Sequence, residues 1–377
     1  MLQSDIRRYD YIDAIRGMAI LGVILVHSCQ AVAPTNTKLL WVMTEGARGV
    51  QLFFVASALA LCMSWVARSP HEASPIRSFY IRRFFRIAPM FYLAILTYMF
   101  LNGSSPAYWS PNGIKWWFVL LTATFLHGFH PETITSVVPG GWSIAVEMSF
   151  YLILPFMLAH IKSLKSCLIF FIISLGLYGL NGLVTPQVFL YPEDQQYLVQ
   201  YFSYFDLLGQ LPVFVLGISC YFVLREEYPR RQIAIAGGAL FVILLLAFVC
   251  PVPQLPHHLV AGGLFSVFTL LLANWPTRLL VNRITTTLGK LSYSMYLTHF
   301  AVLKYFSLLG FSGMFPRSNL ASVLHFVCVV LVASIVSFFF YKFIEKPGIA
   351  LGKRIIGKLE QDSRRNPNAP VNLDAAP

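Results

Sequence analysis

Two polar side chains interrupt the first long apolar stretch of the chain, DAIRGMAILGVILVHSCQ. Arg16 lies near its start, and His27 lies eleven residues later. On an α-helix this spacing places the two side chains within about 20° of the same face and roughly 16 Å apart along the axis. An imidazole with its ordinary pKa of about 6.5 suits general-base chemistry, and a guanidinium binds anions. We expect His27 to act as a base and Arg16 to anchor a ligand. The alternative for Arg16 is a cation whose side chain reaches the membrane interface. The alternative for His27 is a polar contact between helices.

A carboxylate occurs inside a second apolar stretch, PGGWSIAVEMSFYLILP. Glu147 lies about six residues into this stretch, which corresponds to a depth of roughly 9 Å. His27 lies at a similar depth from the same end of its own stretch, so the two side chains could meet inside a helix bundle. Ser143 and Tyr151, four residues before and after Glu147, share its helix face. Ionisable groups at this depth cost free energy and are commonly functional.

Three arginines occur together in RSFYIRRFFRIAP, at the start of a third apolar stretch. Arg86 follows Arg82 by four residues and Arg83 by three, so a helix places the three side chains close to one another. Guanidinium groups match the geometry of phosphate oxygens, which predicts a clamp for a phosphorylated ligand. The alternative is that they are the basic residues that flank any cytoplasmic helix end.

The composition predicts an all-α integral membrane protein with many spans. Of the 377 residues, 57% are hydrophobic and only 12% are charged, against about 25% charged in soluble domains. The mean hydropathy is +0.66. The net charge of +12 is explained by basic loops, and we expect membrane lipids and no nucleic acid among the partners.

About ten apolar stretches are long enough to cross a bilayer, and they lie near residues 12–32, 47–67, 84–101, 142–160, 166–183, 201–224, 232–250, 258–274, 288–309 and 319–343. With these ten spans, 23 of the 28 basic residues fall on one side of the membrane. If residues 116–130 also crossed, the later loops would invert and this bias would be lost. The bias therefore predicts that both termini are cytoplasmic and that residues 116–130 form a re-entrant or interfacial segment.

The remaining histidines and the cysteines form no cluster with metal-ligand spacing. The six cysteines are scattered, mostly in apolar stretches, so we expect neither a metal site nor a disulfide framework. His127 and His130, and then His257 and His258, occur in pairs between predicted spans, and we interpret them as surface residues. Tyr293, Tyr296 and His299 lie in the tenth span, where they could equally link neighbouring helices.

Six motifs follow one another along the chain, namely DAIRGMAILGVILVH, GVQLFFVASAL, YIRRFFRIAPMFY, WSIAVEMSFYLILP, LGKLSYSMYLTHF and FIEKPG. In this order they resemble motifs of the membrane-bound acyltransferase-3 family, beginning with its Arg-x10-His signature. Two positions depart from the family pattern: Ala58 follows Ser57 where glycine is common, and Gln210 stands where an arginine is common.

The resemblance implies a ten-helix bundle that transfers an acyl group, most often acetyl, from acyl-CoA to a hydroxyl group of an envelope glycan or lipid-linked sugar. It implies that Arg16, His27, Arg83 and Arg86 are essential, with Arg82 adjacent. From the resemblance and from the depth and spacing of these side chains, we predict that His27, Glu147 and Arg16 are catalytic residues. We predict that the three arginines of the cluster bind acyl-CoA, and we expect no metal. We expect residues 1–352 to form this transmembrane domain in the bacterial inner membrane and residues 353–377 to form a disordered cytoplasmic tail.

A proton-coupled transporter or flippase is the alternative function, with His27 and Glu147 as a proton relay. Transporters of this size often contain inverted repeats, and the sequence has no such repeat. The sequence leaves open the identity of the acceptor, the length of the acyl chain and the side of the membrane on which transfer occurs.

Overall fold

Helices make up the regular secondary structure of residues 10–226, 228–314 and 317–365, which are the residues that the computed structural model describes. In chain order they are α1 (Asp10–Ala31), α2 (Thr37–Thr44), α3 (Gly49–Arg68), α4 (Pro75–Asn102), α5 (Trp116–Ala123), α6 (Gly141–His160), α7 (Leu164–Val188), α8 (Gln196–Phe205), α9 (Leu207–Arg225), α10 (Arg230–Val249), α11 (His257–Asn274), α12 (Arg283–Leu308), α13 (Asn319–Phe340) and α14 (Lys346–Arg365).

The predicted class of an all-α polytopic membrane protein is confirmed. Nine helical segments of the described residues are long and apolar enough to cross a bilayer. The tenth predicted span lies in α12, which has 26 residues but is more polar than the others, since it contains Lys290, His299 and Lys304. Each of the ten predicted stretches thus corresponds to a long helix. The cytoplasmic position of the termini stays a prediction.

The segment between α4 and α6 does not contain a spanning helix. Its longest helix, α5, has eight residues and is therefore only about 12 Å long. After α5 the backbone turns at Phe125, which has a φ of +61°, and a short 3₁₀ turn follows at His127–Phe129. This arrangement agrees with the predicted re-entrant or interfacial segment.

The interpretation of His127 and His258 as surface residues is wrong. Their exposed fractions are 1% and 4%. The Nε2 of His127 donates to the carbonyl oxygen of Gly141 in α6, and that of His258 donates to Gly209 in α9. Position between apolar stretches did not reveal that the segment of His127 and the first turn of α11 pack against the starts of other helices, where a ring N–H can donate to a backbone carbonyl.

Two glycines allow α1 and α12 to pack backbone against backbone. A Cβ atom at Gly289 would lie only 1.8 Å from the carbonyl oxygen of Asp13, and one at Gly17 only 2.1 Å from that of Thr285. Any larger residue would force the helices apart, so this contact depends on glycine. It fixes the helix that carries Arg16 and His27 beside the helix that carries Tyr296 and His299.

The chain continues as a helix beyond the last predicted span. A π-helical turn at Tyr341–Glu345 joins α13 to α14, and a Cβ atom at Gly352 of α14 would lie 2.8 Å from the Cβ of Phe85. The helix extends to Arg365, well into the predicted disordered tail, because apolar residues such as Ile356 recur on one face and are buried. Residues 366–377 lie outside the described residues, and the domain boundary at 352 stays a prediction.

Candidate active site

Two adjacent cavities occupy the interior of the bundle. The larger cavity has a volume of about 1210 Å³ and has His27 in its wall; we call it the His27 cavity. The smaller cavity measures about 50 Å³ and is lined by Arg16 and Glu147; we call it the Arg16 cavity. Val50 and Tyr296 line both. The two predicted residues of α1 therefore line neighbouring cavities: Arg16 lines the smaller one and His27 the larger one.

The hydrogen bond of His27 leaves one ring nitrogen available for chemistry. Its Nδ1 lies 3.0 Å from Oε1 of Gln30. An amide oxygen only accepts, so Nδ1 carries the proton and donates. In this tautomer Nε2 is unprotonated, and its lone pair can accept a proton, as a general base requires. The ring packs against Phe300, with 4.4 Å between centroids, and this contact holds its orientation.

Glu147 is held by hydroxyl groups of two helices. Its Oε1 accepts a hydrogen bond from Oγ of Ser57 at 2.6 Å and another from the hydroxyl of Tyr151. Tyr151 therefore lies on the same helix face as Glu147, as its spacing predicted. Glu147 lines the Arg16 cavity, whereas His27 lines the other cavity, so the two side chains, whose depths allowed them to meet, face different cavities. Counting residues along two helices fixes relative depth but not the direction in which each side chain points.

Tyr296 lies between the two cavities. Its hydroxyl donates to the carbonyl oxygen of Gly140 at 2.8 Å and accepts from Oγ of Ser143 at 2.7 Å. Gly140 has a φ of +72°, and a Cβ atom there would lie 3.0 Å from the hydroxyl oxygen of Tyr296. The hydroxyl of Tyr296 thus both donates and accepts a hydrogen bond at the start of α6, and the tyrosine side chain separates the two cavities.

The three arginines of the predicted phosphate clamp have different surroundings. Arg82 makes a bidentate ion pair with Glu72. The guanidinium of Arg83 lies over the ring of Phe79, 5.7 Å from its centroid, and its buried Nε has no hydrogen-bond partner among the described residues. Arg86 interacts electrostatically with Glu345 and other carboxylates. The buried Nε of Arg82 also has no hydrogen-bond partner among the described residues, so the two arginines differ in the ion pair with Glu72, which Arg82 makes. The predicted roles stay predictions.

The sequence matches the family described as an acyltransferase domain over residues 9–342. The chain belongs to the acyltransferase-3 family. The resemblance noted from six short motifs is therefore confirmed across most of the chain.

Several curated relatives of this acyltransferase-3 chain carry O-acetyltransferase names. It is 26% identical, over 89% of its own length, to a protein named as an O-acetyltransferase in Staphylococcus aureus strain COL. It is 24% identical, over 78% of its length, to the peptidoglycan O-acetyltransferase OatA of Listeria monocytogenes. The alignments cover 56% and 49% of those relatives, so the chain spans about half the length of the curated relatives it matches. No solved structure matches it at a significant level.

Two buried ionisable residues of the acyltransferase-3 bundle were not predicted as site residues. Glu345, which is 1% exposed, accepts a hydrogen bond from Oγ of Ser294 at 2.8 Å and interacts electrostatically with Arg16 and Arg86. The sequence feature that could have indicated Glu345 is a carboxylate directly after the last apolar stretch, in FIEKPG. It helps to neutralise the arginines at the Arg16 end of the bundle.

His299 is the second such residue, and it lies directly beside His27. The two ring centroids are 5.4 Å apart. His299 is fully buried, and its Nδ1 donates to the carbonyl oxygen of Met295 at 3.1 Å. Its Nε2 has no hydrogen-bond partner among the described residues. The sequence pointed to this residue only within the tenth-span motif of the acyltransferase-3 family.

Proposed function

We propose that this protein is an acyl-CoA-dependent O-acyltransferase of the bacterial inner membrane that moves an acyl group, in the simplest case acetyl, to a hydroxyl of an envelope glycan or lipid-linked sugar. The observation that carries the proposal is the position of His27. Its Nε2 is the unprotonated ring nitrogen, its ring lines a cavity large enough for a saccharide, and that cavity adjoins the Arg16 cavity across Tyr296.

The acyl-CoA donor enters, in this proposal, from the Arg16 end of the bundle. The basic loops predict that this end is cytoplasmic. Arg83 and Arg86 bind the phosphates, and Arg82 joins them if it exchanges Glu72 for a phosphate oxygen. Arg16 then guides the pantetheine arm towards Tyr296. Glu147 acts on Arg16 rather than on His27, because these two residues line the same cavity.

The chemical step takes place at the boundary of the two cavities. Nε2 of His27 removes the proton from the acceptor hydroxyl, and the oxygen attacks the thioester carbon. The C–S bond breaks, an ester forms, and the CoA thiolate takes up the proton that His27 received. The name of the Listeria relative supports an envelope polymer as the acceptor.

The proposal is tested with purified protein in liposomes, radiolabelled acetyl-CoA and tetrasaccharides from muramidase-digested peptidoglycan. The wild type is expected to form base-labile acetyl ester. His27→Ala is expected to do so at least about 100-fold more slowly, the contribution of a general base. His160→Ala, which changes an exposed histidine at the end of α6, is the matched control and retains transfer. Full transfer by His27→Ala would show that the assignment is wrong.

The acceptor class is tested separately in cells. Deletion of the gene is expected to remove O-acyl groups from an envelope glycan, as measured by mass spectrometry. A protein that neither binds nor hydrolyses acetyl-CoA, and whose deletion leaves O-acylation unchanged, would instead fit the transporter alternative.

A further inference from the structure

Part of the wall of the His27 cavity consists of aromatic side chains from two separate elements. Tyr108 and Trp109 come from the loop after α4, and Tyr197 and Tyr201 come from α8. We call these four residues the aromatic wall. All four line the cavity whose other lining residues include His27.

The aromatic wall is held together by contacts between its own members. The rings of Tyr108 and Tyr197 are stacked with 4.5 Å between centroids, and the hydroxyl of Tyr197 donates to the carbonyl oxygen of Tyr108. Trp109 meets Tyr201 edge to face at 5.2 Å. The wall is therefore preformed, which lowers the entropic cost of binding a ligand.

The rings of the wall nevertheless keep large accessible surfaces. Tyr108 is 57% exposed and Tyr201 is 44% exposed, although both belong to a packed aromatic cluster. Exposed apolar surface that lines a cavity is characteristic of a binding site. One face of the Tyr201 ring is stacked on Phe205, and the exposed remainder of Tyr108 and Tyr201 is surface that a ligand in the His27 cavity could contact.

Polar side chains that can form hydrogen bonds with the hydroxyl and amide groups of a ligand line the same cavity as the wall. Gln30, Asn102 and Gln200 line the same cavity. Ser110 lines it as well and is 1% exposed, and its hydroxyl has no hydrogen-bond partner among the described residues. A buried hydroxyl without a partner is costly, and a hydroxyl or amide group of a ligand would satisfy it.

The charges of the cavity restrict the ligand further. Its lining residues include Lys304 and Arg48, the second of which is ion-paired with Glu45 at 3.5 Å, and, within the described part of the chain, no aspartate or glutamate. This favours a neutral or anionic ligand. The volume of about 1210 Å³ exceeds the roughly 300–1000 Å³ of cavities that hold drug-sized molecules, so there is room for more than one sugar ring.

From these observations we infer that the aromatic wall is a saccharide subsite, where the apolar face of an acceptor sugar ring packs on Tyr201 and Trp109 while a hydroxyl of the same glycan reaches His27. Sugar rings combine an apolar C–H face with a polar rim, and the wall combines ring faces with hydroxyl and amide groups. The inference rests on the proposed function, of which it specifies the acceptor site. A membrane lipid is the competing occupant, and the mixed polarity of the lining speaks against it.

The test compares Tyr201→Ala with Tyr201→Phe and with the control Tyr305→Ala. Tyr305 is a tyrosine of similar exposure, 48%, in α12. With peptidoglycan tetrasaccharide as acceptor, Tyr201→Ala is expected to raise the KM for the saccharide about 10-fold, as loss of one ring contact implies, with kcat within about twofold. Tyr201→Phe, which keeps the ring, and Tyr305→Ala are expected to behave like the wild type.

Calorimetric binding of the same tetrasaccharide separates this inference from the proposed function. Binding that Tyr201→Ala weakens supports the subsite even if the wild type transfers no acyl group, a result that would overturn only the proposed function. An unchanged KM and Kd in Tyr201→Ala, or a fall in kcat at constant KM, would overturn the subsite. Loss of co-purified lipid from Tyr201→Ala without a change in saccharide binding would also overturn it and assign the wall to lipid.

Discussion

The hydroxyl of Tyr296 donates a hydrogen bond to the carbonyl oxygen of Gly140 across 2.8 Å, and this bond joins α12 to the start of α6 between the two cavities. In the proposed reaction the thioester must pass this point to reach the acceptor, while water must not. The contact therefore controls both how far the donor enters and how well it is protected.

Tyr296→Phe keeps the ring but removes the hydrogen bonds to Gly140 and Ser143. We expect transfer to slow and the ratio of acetyl-CoA hydrolysed to ester formed to rise about 10-fold, because a looser partition admits water to the thioester. The ratio is measured as thiol released against ester formed. Tyr305→Phe is the control, and a wild-type ratio in Tyr296→Phe would contradict a partitioning role.

Gly289→Ala tests the contact between α1 and α12. The new methyl group would lie 1.8 Å from the carbonyl oxygen of Asp13, so the helices must separate, at a cost of about 1–3 kcal/mol or more. We expect a lower midpoint of thermal unfolding in detergent and a loss of transfer. Gly176→Ala is the matched control in α7, where a Cβ atom meets nothing within 4 Å. Equal stability of the two variants would show that the contact is not structurally important.

Arg83→Gln tests the phosphate site. Arg82 is already paired with Glu72, whereas the contacts of the Arg83 guanidinium are with the rings of Phe79 and Tyr151. We therefore expect Arg83→Gln to raise the KM for acetyl-CoA about 10-fold and Arg82→Gln to raise it less. S-acetylpantetheine, which lacks the CoA phosphates, is the control donor. An equal rise of KM for both donors would mean that Arg83 does not bind phosphate.

His127 predicts a pH dependence of stability. Burial lowers the pKa of its imidazole to about 4, below the value of about 6.5 in an unfolded chain. Its stabilising effect is therefore complete above about pH 6.5 and is lost as the pH falls towards 4, by up to about 3 kcal/mol, because the unfolded state binds the proton first. His127→Gln is expected to flatten the fall of the unfolding midpoint between pH 7 and pH 5. An unchanged slope would refute this contribution.

Local sequence spacing predicted which residues share a face of one helix. Tyr151 and Glu147, four apart on α6, lie on one face and are hydrogen-bonded, and apolar length predicted the helices at the ten expected spans but not α14. The short α5 was anticipated because the basic residues would otherwise lie on both sides of the membrane. These features depend on helix geometry and on the cost of charge in lipid, which a sequence displays directly.

Contacts between helices were not predictable in the same way. The rotation of α6 about its axis directs Glu147 to Ser57 and away from His27, and depth counting carries no information on this angle. The proximity of Glu345 to Arg16 and Arg86 depends on the π-helical turn before α14. The partition formed by Tyr296 requires the left-handed backbone of Gly140, which is set by the packing of three segments.

The glycine contact between α1 and α12 has a consequence for motion in the bundle. At Gly17 and Gly289 the two backbones approach so closely that one helix has little space to slide or roll against the other, and we expect α1 and α12 to move together. In the proposed reaction, the backbones that carry Arg16, His27, Tyr296 and His299 would then keep their mutual arrangement. A gate that admits a donor or releases a product would then be formed by elements on the other side of the cavities, and we expect these to be α6 and the segment between α4 and α6.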